Sequence, residues 1–137
     1  MKKGFLALAV SVTAALVCGC AGMSAVVSDS VSEQIPLSSI KLAGGKCLKV
    51  SEGGALKMIP LNQLKRVTLH SYETITINRE LYYLADIELR DGSQLAAERA
   101  GWNVTFVCIH DIINGKSDKD KTTVRIPLDK VSRIVFK

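Results

Sequence analysis

Leu56-Lys57-Met58-Ile59-Pro60-Leu61-Asn62-Gln63-Leu64-Lys65-Arg66-Val67-Thr68-Leu69 aligns without a gap on Thr123-Val124-Arg125-Ile126-Pro127-Leu128-Asp129-Lys130-Val131-Ser132-Arg133-Ile134-Val135-Phe136. Both copies carry Ile-Pro-Leu, then an aliphatic residue, then Arg followed by an aliphatic residue, at the same spacing. Proline has no N–H for a ladder, and its fixed φ suits the start of a helical turn, so each copy reads as strand, break, strand. Leu61 with Leu64, and Leu128 with Val131, fall three apart on one side of that turn, where they can plug the end of a sheet. Arg66 and Arg133 open the exit strands, either as a paired ligand clamp or as surface residues that suit a strand start. Ile35-Pro36-Leu37-Ser38-Ser39-Ile40 is a weaker third copy that lacks the Arg.

Outward from this frame the chain keeps to short aliphatic and β-branched runs broken by turn residues, which is strand chemistry. Cys47 to Val50 and Ala55 to Ile59 flank Ser51-Glu52-Gly53-Gly54 and predict a hairpin. Thr74-Ile75-Thr76-Ile77 alternates at period two. Leu81 to Arg90, Asp91-Gly92 and Ser93 to Glu98 predict a second hairpin on a type I′ turn. Trp102 to Ile113 reads as one long apolar strand, Asn114 to Lys121 as its polar loop, and Thr122 to Ile126 with Ser132 to Phe136 as the closing strands. The expectation is an all-β domain over 46–137, a small antiparallel β-sandwich or barrel. It is built from a duplicated unit, the hairpin 46–59 plus 65–70 and the hairpin 102–126 plus 132–136, with another hairpin inserted between. Two copies are too few for a solenoid.

With 137 residues, 47% of them apolar, the chain suits one modest domain rather than a multidomain enzyme. A charged fraction of 23% with a small net excess leaves enough apolar surface for a core, which disfavours disorder. No stretch reaches the roughly 20 apolar residues that span a bilayer. The basic residues are scattered rather than gathered into a stripe, so nucleic acid is not an expected partner.

The first residues read as an address. Met1-Lys2-Lys3 is a positive start, Phe5 to Cys18 is an unbroken apolar, small or hydroxyl run, and Gly19 follows. Val17-Cys18-Gly19-Cys20 resembles the lipobox of bacterial lipoproteins, with Cys18 where Ala or Ser is commoner. The resemblance implies a signal-peptide helix over 1–19, cleavage before Cys20, and acylation of Cys20, so that membrane lipid is one partner. Two or three acyl chains hold far more firmly than one, since each buried methylene adds about 0.8 kcal/mol. Ala21, where that family's inner-membrane retention signal would place Asp, implies a bacterial envelope location at the outer membrane. Residues 20–45, rich in Ser and small side chains, are expected as the lipidated cysteine and a flexible tether.

Candidate chemistry is sparse. Cys47 and Cys108 are the thiols that remain after Cys20. In an oxidising compartment they suggest a disulfide closing a loop of 60 residues, worth about 4 kcal/mol, the alternative being two buried free thiols. Cys47, His70, Cys108 and His110 lack the short paired spacing of a zinc site, and the lysines of 114–121 cancel the charge a calcium loop needs. His70-Ser71 and His110-Asp111 are strand neighbours that point to opposite faces, so no hydrolytic triad is expected. Trp102, Tyr82 and Tyr83 are the candidate binding residues, able to stack on sugar rings or fill a partner's pocket if they are not core. The expectation is a non-catalytic module without a cofactor that meets an envelope protein partner. The alternative is a binder of an envelope glycan or small amphiphile.

Overall fold

Pro60 and Pro127 end strands as their missing N–H requires. Each stands in extended backbone, φ −60° and −61°, immediately before a one-turn 3-10 helix. The computed structural model describes residues 23–31, 33–95 and 104–137, and these contain strands and two 3-10 turns but no α-helix. In chain order they are β1 (Met23–Asp29), β2 (Gln34–Leu42), β3 (Cys47–Glu52), β4 (Ala55–Pro60), the turn η1 (Leu61–Gln63), β5 (Leu64–Ile77) and β6 (Glu80–Leu89). Then follow β7 (Gln94–Leu95), β8 (Thr105–Cys108), β9 (Ile112–Ser117), β10 (Thr123–Pro127), η2 (Leu128–Lys130) and β11 (Val131–Phe136). Leu61, Leu64, Leu128 and Val131 are all buried and plug the sheet as their spacing predicts.

All pairings are antiparallel, in the order β10-β9-β2-β1-β11-β5-β6-β8-β3-β4, with β7 also on β6. The sheet curls into a half-barrel whose inner face makes one continuous core, drawing Leu37, Leu64, Val67, Ile87, Ile113 and Leu128 from both halves. The duplication extends over the whole described chain and is larger than the three-strand unit expected. β1 to β5 form one copy and β6 to β11 the other, with β7 and β8 together standing for β2. Ala25-Val26-Val27 corresponds to Ala85-Asp86-Ile87, Gln34-Ile35 to Gln94-Leu95, and each matched pair holds the same register position.

The copies exchange strands. β1 pairs with β11 and β2 with β9, while β6 pairs with β5 and β8 with β3, so each set of five neighbours takes two strands from one copy and three from the other. The two sets meet at β5 and β11, where Val67 lies opposite Ile134. Those residues are equivalents in the repeat, so a pseudo-two-fold axis passes between them.

Several expectations are corrected. The segment expected as a tether holds β1 and β2, because Ala25, Val27, Leu37, Ile40 and Leu42 turn into the core, with an irregularity between Ser38 and Lys41. Ile35-Pro36-Leu37 is part of β2 and makes no third break. The strand expected over 102–113 is interrupted at 109–111, and β9 takes in Asn114 to Ser117, which was expected as loop. The chief partner of β6 is β5, joined by a turn at Asn78 and Arg79 with φ of 51° and 68°.

Candidate functional site

The expected site residues come from β3, β6 and β8, which are neighbours in the sheet. Alternation along β6 sends Tyr83, Ala85 and Ile87 to the main core and Tyr82 and Leu84 to the opposite face. There Tyr82 and Leu84 join Phe106 and Cys108 in a second apolar cluster flanked by Ile75, Ile77 and Val104. Tyr82 is 1% exposed and offers no ring face to a sugar. Burial, then the neighbouring Cys108 thiol, holds its phenol above the usual range. Tyr83 packs on the main core. Trp102 and Cys20 lie outside the described residues.

Cys47 and Cys108 line the same cleft, of about 220 Å³, with Lys49, Met58, Glu80 and His110. Both are free thiols here, the alternative to a bond. The register explains this: Val50 lies opposite Val107, so continuing the pairing puts Lys49, and not Cys47, beside Cys108. Two cysteines staggered by two residues on adjacent strands are diagonal neighbours, further apart than directly opposed ones. Lys49 Nζ donates to Glu80 Oε1 at 2.8 Å across this cleft. That bond lowers the Glu80 carboxyl below its ordinary value and raises the Lys49 amine. Burial pushes the Cys108 thiol up, which keeps it protonated and a poor nucleophile.

Next to it is a second cleft, of about 150 Å³, whose floor is Tyr82 and whose wall is Leu56 and Met58 of β4. Leu56 and Met58 are 48% and 58% exposed, two neighbouring apolar side chains on the outer face of one edge strand of the hairpin. The signal was available, since Leu56 and Met58 occupy the positions held by Thr123 and Arg125 in the second copy.

Arg66 and Arg133 do come together. Both line an open cleft of about 270 Å³ on the outer face beside the pseudo-two-fold axis, with Thr68, Asp86, Glu88 and Gln94. They are not equivalent in charge, because Arg66 is paired with Glu88, whereas the strand neighbour of Arg133 on the other side is Ser28. A further pair escaped the sequence: His70 Nε2 and Asp86 Oδ2 meet at 2.9 Å across β5 and β6. His70 also lies against Tyr72, ring centroids 5.5 Å apart. Among the described residues no group of three His, Cys, Asp or Glu side chains converges as a metal-ligand set. No protein-family model matches this chain, and a search of curated proteins gives no match.

Proposed function

We propose that this chain is a lipid-anchored protein of the bacterial envelope, held by an acylated Cys20, whose β domain is a non-catalytic protein-interaction module. One observation carries the choice of module: two exposed apolar side chains, Leu56 and Met58, stand side by side on the β4 edge, while Tyr82, one of the aromatic residues expected to bind a glycan, is buried. Lipobox-like Val17-Cys18-Gly19-Cys20 supports the anchor. With β1 starting at Met23, three residues after Cys20, the chain between anchor and sheet spans at most about 10 Å. The domain is then held close to the headgroups, and its partner is one that reaches the membrane surface.

In situ chemical cross-linking of the lipidated protein, with a Cys20→Ser control and mass spectrometry of the captured species, tests the proposal. A single protein partner that is lost in the control is the expected result. Recovery of glycan fragments alone points to the ligand binder, and normal processing under globomycin removes the anchor.

A further inference from the structure

The β3–β4 hairpin closes with two residues, Gly53 and Gly54, both at positive φ, so Glu52 and Ala55 form a hydrogen-bonded pair. Bonding alternates along an antiparallel pair, which turns the backbone of Ala55, Lys57 and Ile59 toward β3 and that of Leu56 and Met58 outward. Pro60, next in the outward series, has no N–H to leave unpaired. β4 ends the sheet and pairs only with β3 among the described strands. The outward N–H and C=O groups, unpaired by any described strand, are thus flanked by the two exposed apolar side chains.

The duplication supplies an internal control. β10 ends the other side of the same sheet in the same structural position, and there Thr123 and Arg125 replace Leu56 and Met58, both exposed. Polar and charged side chains are how proteins blunt a sheet edge against further pairing. At the two outward positions one edge is polar and its equivalent apolar, although β4 carries Lys57 where β10 has Val124, and among the described strands nothing pairs with either edge.

We infer that the β4 edge is a docking strand that receives an extended segment of a partner protein as a twelfth strand. This rests on the reading of the domain as an interaction module. Backbone bonds to Leu56 and Met58 supply the attachment, and alternate side chains of the incoming segment meet Leu56 and Met58. One of these enters the adjoining cleft above Tyr82, between Met58, Asn78 and the Lys49–Glu80 pair; its volume of about 150 Å³ suits one apolar side chain. A second copy of this chain is the poorer occupant. The two-fold register that uses both Leu56 and Met58 places Lys57 directly opposite Lys57 as a close, unbonded pair, where like charges destabilise.

The test pans a phage-displayed library of random decapeptides against the full mature chain in detergent micelles, in parallel with Leu56→Thr/Met58→Arg, which copies the β10 edge. Both substitutions fall on exposed positions, and an unchanged thermal melt verifies that the variant is folded. The expected binders alternate apolar residues at period two, lose affinity about tenfold or more on the variant, and slow amide exchange at Leu56 and Met58. An empty selection, binders indifferent to the variant, or a concentration-dependent dimer that the variant abolishes each overturns the proposal. If the variant leaves envelope cross-links to a protein partner unchanged, the docking strand falls while the interaction module stands.

Discussion

Cys47 and Cys108 were visible in the sequence as a pair, but the register that keeps them apart was not. A disulfide depends on which residue stands opposite which, and a stagger of two residues puts Lys49 beside Cys108. The two thiols therefore differ in reactivity. Cys108 is buried, with burial raising its pKa, whereas Cys47 is half-buried at the mouth of the cleft. Without reductant, both react with a maleimide after unfolding, and in the native protein Cys47 reacts about tenfold faster or more. Mass spectrometry of a labelling time course measures this, and an unlabelled pair in unfolded protein refutes it. Tyr82 and Tyr83 teach the opposite lesson. Period-two alternation fixed correctly that they face opposite sides, but burial of the outer face depends on neighbouring strands that no local pattern names.

Elements were legible where a residue type forces the backbone. The Pro60 and Pro127 breaks and the Gly53-Gly54 turn announced themselves, as did the aliphatic plugs beside them. The turn at Asn78-Arg79 did not, because its positive φ values are carried by residues other than glycine. Nor did β1 and β2, whose Ser-rich outer face resembles linker composition. The elements that carry the chain from one set of five strands to the other are the crossovers from β2 to β3 and from β8 to β9, and one side chain joins them. Asp111 Oδ1 accepts from Gly44 N at 3.0 Å and from Ile112 N at 2.8 Å, while Asp111 O accepts from Leu128 N at 3.0 Å. Lys46 O accepts from Leu61 N at 2.9 Å in the equivalent place, so each 3-10 turn is fastened to a crossover. Asp111→Ala leaves the Gly44 and Ile112 amides without their acceptor and is expected to cost about 1–3 kcal/mol, measured by urea unfolding. Gly44→Ala probes the same contact, since its added Cβ would stand 3.1 Å from Asp111 Oδ2.

At the scale of the molecule, an all-β antiparallel sandwich or barrel and a duplication could be read from the chain, but the exchange between copies could not. Exchanged and unexchanged pairings satisfy the same alternation, the same turns and the same buried positions. What separates them is long-range choice of partner, which a repeat leaves degenerate. A chain cut between Asn78 and Arg79 is expected to reassemble: fragments 23–78 and 79–137, refolded together, form a one-to-one complex through β1–β11, β2–β9 and β3–β8. Sedimentation measures the stoichiometry, and two separately folded monomeric fragments would refute the exchange.

The place of β1 in the middle of the sheet also sets a clock. Its neighbours are β2, which follows it at once, and β11, the last of the described strands. Synthesis delivers the N-terminus first, so β1 must wait with one side unsatisfied until β11 has been made, about 100 residues later. Folding is accordingly gated by the arrival of β11, and pairing over such separations is slow, in the millisecond-to-second range typical of non-local β topologies. During that interval the nascent protein exposes the apolar strip of β1, and whatever shields it in the cell has to release the chain only after Phe136 is available.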